Sequence, residues 1–162
     1  MPAMCGGQGY PKIERPSSLL VHMAGHGVPS PRVIRMSELQ HAVDRSLLAG
    51  RLPCERSFAV AAELGVAPTQ VREAAEERNV RFSRCQLGLF GFEDLGDKRL
   101  IHALPKITES LEKQIREALI DGCLSCAAAW RIAEQEALPR FLIGCACETL
   151  EVRIAPCQLG CF

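Results

Sequence analysis

Apolar residues recur at helical spacing in two stretches that lie 72 residues apart. Leu39, Val43 and Leu47 fall on one helical face, and Leu111, Ile115 and Leu119 repeat that face further along,. Ser37-Glu38-Leu39-Gln40 has the form of a capping box, which predicts a helix start there,. Gly50 and Gly122 supply the expected stops,. From residue 57 to 74 the apolar positions Val60, Leu64, Val66 and Val71 predict two further short helices around Gly65. Val80-Arg81-Phe82-Ser83 and Val152-Arg153-Ile154-Ala155 then alternate apolar and polar residues, the pattern of a short half-buried strand,.

The two stretches are copies of one unit. A shift of 72 residues aligns Gly50–Phe90 with Gly122–Phe162 without a gap and gives 13 identities over 41 positions. The longest identical run is Cys85-Gln86-Leu87-Gly88 on Cys157-Gln158-Leu159-Gly160. Phe58/Trp130, Val60/Ile132, Val71/Ile143 and Phe82/Ile154 conserve apolar character across the shift. A repeat fixes the unit that folds. It divides the chain into a leader (1–32), a first copy (33–91), a linker (92–106) and a second copy (107–162), with a short strand expected at 100–104. Leu39, Val43, Phe58, Ala61 and Val71 should form one core, and Leu111, Ile115, Trp130, Ala133 and Ile143 the other. The leader is rich in Gly, Pro, Ser and His; its His22 and His26 are too isolated to suggest a metal tract,.

In the first copy, small Ala61 at the helix crossing, Gly65 in the turn and Pro68 opening the next helix have the spacing of a bacterial helix-turn-helix regulator,. Residues 57–74 resemble that superfamily, and the strand that follows resembles the winged-helix variant. The resemblance implies a mainly α protein of two tandem winged-helix-like domains, each carrying a short β-hairpin. It also implies duplex DNA as ligand, read by the exposed start of the second helix. There the first copy offers Thr69, Gln70 and Arg72, with Arg81 and Arg84 for phosphate; Gln and Arg are competent to read adenine and guanine,. The second copy departs from the pattern. Its equivalents Phe141, Leu142, Gly144 and Cys145 suit a protein interface or self-association better than a base edge,.

Charge pulls against DNA. Nineteen basic and nineteen acidic side chains leave no net charge, and phosphate neutralisation is the main source of duplex affinity. Glu73, Glu76 and Glu77 lie on the reading helix itself. The alternative is a helix-turn-helix-derived interaction module, with a cysteine-based metal or thiol sensor as its sharper form. Nine cysteines are many for such a chain, and disulfide staples are a poor default in the cytoplasmic setting expected here. Cys54/Cys126 and Cys85/Cys157 recur in both copies and read first as buried packing residues,. Joined across the copies, those two pairs would make a four-thiolate metal site. Cys123-x-x-Cys126 has the gap with which two thiolates grip zinc from a turn, but no second such pair follows it,. Any reactive or metal-binding sulfur is expected among Cys123, Cys145, Cys147 and Cys161, which have no counterpart in the first copy. No nucleophile–base pair or phosphate-cradling loop appears at a recognisable spacing, so no enzyme and no obligatory cofactor are expected,. No stretch has the length or apolar character of a membrane span,.

Overall fold

A computed structural model describes residues 34–162; the leader and its two histidines lie outside them. The first copy contains α1 (Met36–Arg45), β1 (Leu52–Pro53), α2 (Cys54–Leu64), α3 (Pro68–Glu77) and β2 (Phe82–Ser83). A 3-10 turn at Glu93–Leu95 follows. The second copy repeats the order as α4 (Glu109–Glu117), β3 (Cys123–Leu124), α5 (Cys126–Gln135), α6 (Arg140–Thr149) and β4 (Arg153–Ile154). The chain is mainly helical, with a few very short strands.

Hydrogen bonds repeat with the elements. Leu48 N–H donates to the Arg51 carbonyl at 2.8 Å, and Ile120 N–H to that of Cys123 at 2.9 Å. Between these partners Ala49-Gly50 and Asp121-Gly122 all have positive φ, as a tight turn of the I′ kind demands. The two glycines are therefore turn residues. They do not end α1 and α4, which stop at Arg45 and Glu117. The start of α1 also differs from expectation. The helix begins at Met36 behind an Arg35 N-cap with no side-chain cap bond, so Ser37 already lies inside the first turn and cannot cap. Gln40 donates to Glu77 instead. In the second copy Thr108 performs the cap, accepting from Leu111 N–H at 3.2 Å,.

The segment from 57 to 74 follows its sequence closely. Gly65 ends α2 at φ 65°, ψ 34°, and Val66 N–H returns to the Ala61 carbonyl,. Ala137 takes the same left-handed backbone in the second copy at φ 51°. Pro68 opens α3. All the small core residues expected are buried: Leu39, Val43, Ala61 and Val71 in one copy, Leu111, Ile115, Ala133 and Ile143 in the other. Each fully buried Leu or Ile contributes about 1.5–3 kcal/mol by leaving water.

The expected β-hairpins do not form. β2 pairs in parallel with β1, Leu52 opposite Phe82, and β4 pairs in parallel with β3, Leu124 opposite Ile154. The alternating segment thus returns to the strand before α2, because Leu52 and Leu124 offer buried partners there. The linker carries no strand at 100–104 among the described residues. It is pinned to both copies: Leu100 N–H donates to the Gly88 carbonyl of the first, Leu104 N–H donates to Thr149 Oγ1 of the second, and Arg99 pairs with Glu148 of the second at 2.7 Å.

Candidate functional site

Where the two copies meet, each hands its Cys-Gln-Leu-Gly loop to the other. Leu87 is buried in the core of the second copy, among residues that include Ile115, Leu124 and Ile143. Leu159 is buried with Cys54, against Phe58 and Phe82 of the first copy. Phe58 and Trp130, equivalent under the 72-residue shift, face each other with ring centroids 4.5 Å apart. Both are half-buried, and both pack against the junction residues Cys54, Cys157 and Leu159. Arg140 lies over the Trp130 ring at 3.6 Å and donates to Gln86 Oε1 at 2.6 Å,.

The exchange occupies the face of α6 that matches the expected DNA-reading face and meets that of α3 through Arg72, while Thr69 and Gln70 stay exposed. A Cβ on Gly144 of α6 would meet the Leu87 carbonyl, and one on Gly88 would meet the Phe141 ring. Glycine is required at both for close approach. In the first copy Arg72 of α3 lies against Gly160 and donates to its carbonyl at 3.2 Å, with Glu76 at 3.5 Å on its other side. Gln70 turns back to accept from Ala67 N–H, and Arg84 pairs with Asp94 at 2.5 Å. Of the five expected DNA contacts, Thr69 and Arg81 stand exposed without such engagement. Glu73, Glu76 and Glu77 are exposed on the same helix.

The junction also gathers thiols. Cys54 and Cys126 each open a helix, α2 and α5. Each lies beside the amide of the glutamine that follows the other repeated cysteine: Gln86 Nε2 is 4.0 Å from Cys54 Sγ, and Gln158 Nε2 is 3.5 Å from Cys126 Sγ. Cys126, Cys157 and Cys161 act on one another's ionisation: interaction with its two thiol neighbours makes Cys157 hold its proton far more weakly than an ordinary thiol, and interaction with Cys157 raises Cys126 and Cys161,. Burial is the first cause raising Cys54, to about 11, and it raises Cys85 too. Cys54 and Cys85 lie near enough to feel the charge of Cys157.

The four repeated cysteines are buried, as expected, and Cys161 is exposed. Cys145 and Cys147 are buried inside α6, and desolvation pushes Cys147 up to about 12. The Cys123/Cys126 pair is not assembled as a zinc grip: Cys123 is disulfide-bonded, which removes its thiolate and departs from the expectation of free thiols throughout. Among the described residues no group of three or more His, Cys, Asp or Glu side chains has the arrangement to hold a metal ion. The repeated cysteines read as packing residues in the sequence; that their ionisation is coupled at the junction emerges only in the fold. The shared Gln after Cys85 and Cys157 was the available signal.

Among the described residues no helix is long and apolar enough to cross a membrane. Comparison with protein-family models, with curated proteins and with solved structures finds no match for this chain.

Proposed function

We propose that this protein is a helix-turn-helix-derived interaction module whose working site is the thiol group at the junction of its copies, and that it does not read duplex DNA through α3 or α6. One observation carries the reading: in α6, where this fold would present base-reading side chains, Phe141 and Gly144 are packed against the Leu87-Gly88 segment of the first copy, and on α3 Arg72 is held at the Gly160 carbonyl. Three exposed glutamates on α3 add repulsion toward phosphate,. The thiols supply the chemistry that the surface lacks. They sit where the copies meet, so any change in their bonding state acts directly on how the copies pack.

A salt-titrated binding experiment tests this. The full chain should show no complex with mixed-sequence duplex at about 50 mM salt, where even non-specific affinity normally persists. A complex whose affinity falls steeply with salt, and weakens in Arg72→Ala together with Arg81→Ala, would return the assignment to transcription regulation by Thr69, Gln70, Arg72, Arg81 and Arg84.

A further inference from the structure

An open groove of about 650 Å³ lies where the first copy, the linker and the second copy come together. Its apolar walls come from all three: Leu89 and Phe90 of the first copy, Ile101 of the linker and Val152 of the second. None of these four is fully buried. Phe162 adds a ring that is 42% exposed and meets Phe90 edge-on at 6.0 Å. The volume falls in the usual range of small-molecule clefts, roughly 300–1,000 Å³, and such walls favour a ligand with an apolar body. Charge at the rim selects its polar end. Four charged side chains line the groove. Arg99 and Glu148 pair with each other at 2.7 Å and so present little net charge. Arg153 and Glu151 stand exposed and have no ion-pair partner among the described residues. One free charge of each sign, on either side of Val152, suits a zwitterion. The matching place in the first copy is built differently. The 72-residue shift sets Arg81 on Arg153 but Asn79 on Glu151, which keeps the cation without the anion. It also sets Arg72 on Gly144, and the bare backbone of Gly144 is what lets Ile101 come against α6.

We infer that this groove binds a free α-amino acid with a large apolar side chain, of the phenylalanine or leucine kind. The ligand's carboxylate pairs with the Arg153 guanidinium and its ammonium with the Glu151 carboxylate, while its side chain lies on Phe90, Ile101 and Val152. A carboxylic acid without the amine would leave Glu151 facing a like charge, and an amine without the carboxylate would do the same to Arg153. Water competes for charges at an exposed rim, so the apolar contact supplies most of the affinity and the two charged contacts decide which ligand is accepted. Because the walls belong to both copies and the linker, a bound ligand touches all three. It therefore favours the arrangement in which the copies are closed on each other over one in which they part. The inference goes beyond the reading of the junction thiols and uses none of them.

Titration calorimetry of the full chain with L-phenylalanine tests this, beside analogues that each lack one element: phenethylamine without the carboxylate, phenylpropionate without the ammonium, and glycine without the side chain. Phenylalanine should bind and should raise the melting temperature of the chain. Each analogue should bind about tenfold more weakly or worse, the scale on which one charged hydrogen bond or one apolar side chain acts. Arg153→Ala should weaken phenylalanine about tenfold and should not weaken phenethylamine, which has nothing for the guanidinium to hold. Glu151→Gln should weaken phenylalanine in the same way and spare phenylpropionate. Both positions are exposed, so both variants should keep the helical circular dichroism of the parent chain. Absence of heat and of any melting shift with millimolar phenylalanine would overturn the proposal. So would phenylpropionate binding as tightly as phenylalanine, which marks a site for organic anions, or phenylalanine affinity untouched by Arg153→Ala, which puts the amino acid elsewhere on the molecule.

Discussion

Position 144 shows how much one hydrogen atom in place of a methyl can decide. In an isolated helix, Gly144→Ala would stabilise α6 by about 1 kcal/mol. Here the added methyl would strike the Leu87 carbonyl and the Ile101 side chain, and neither backbone nor packed neighbour can withdraw cheaply. Overpacking of this kind costs about 1–3 kcal/mol, so Gly144→Ala should lower the urea midpoint, whereas Gly65→Ala, with open space around it, should be limited to the strain of its left-handed backbone. The sequence could not show this. It revealed Gly144 as a poor base reader, but the carbonyl that fills its place comes from the other copy, 57 positions earlier in the chain. Burial of sulfur, by contrast, could be read from apolar neighbours such as Leu52 and Val80, and its consequence is measurable. Cys147 and Cys54 remain protonated in the fold to about 12 and 11, while an unfolded thiol ionises near its ordinary value of 9.0. Above that value the unfolded state releases protons that the folded state keeps. Stability should therefore be complete below pH 9 and fall as pH rises toward 11–12, and urea unfolding at pH 8, 9.5 and 10.5 checks the trend.

At the scale of elements, periodicity and the repeat found the six α-helices of the described residues, and the turn chemistry at Gly65 and Pro68 placed α2 and α3 closely. The errors fell where local pattern leaves several partners open. Alternation at 80–83 correctly gave a strand but could not choose its mate, and Leu52 proved a better one than a hairpin return. Ser37 is the right kind of residue for a cap, two positions too late. The α3 surface offers a test of what its arginine does. If Arg72 chiefly clamps the Gly160 carbonyl, Arg72→Ala should cost about 0.5–1.5 kcal/mol, the usual net worth of one hydrogen bond. It should also increase hydrogen exchange in the Cys157–Gly160 turn, where Gly160 N–H returns to the Cys157 carbonyl at 2.9 Å. Arg131→Ala, on an exposed face of α5, should do neither.

The two copies were legible as two, but not as one body. The sequence marks 92–106 as a linker, and only the structure shows it pinned to Gly88, Glu148 and Thr149. Trp130, the one tryptophan of the chain, sits at the junction against Phe58, so its fluorescence reports the meeting of the copies while circular dichroism reports helices in both. The two signals should change together in a single urea transition, since all-or-none unfolding makes different probes coincide; a junction that parts before the helices melt would show as separated midpoints. The reciprocal loop exchange has a further consequence. When residue i of one half meets j of the other and the shifted pair meets in return, the contact obeys the rule of an isologous dimer. In a true homodimer both halves of such a contact must use the same amino acid, so every mutation is made twice. A covalent duplicate is released from that bond. Here Arg72 fills on one side the slot that Gly144 leaves open on the other, and an exposed cysteine stands opposite a leucine. Symmetry supplies the scaffold, and its breaking is what lets one half acquire chemistry that the other half never has to tolerate.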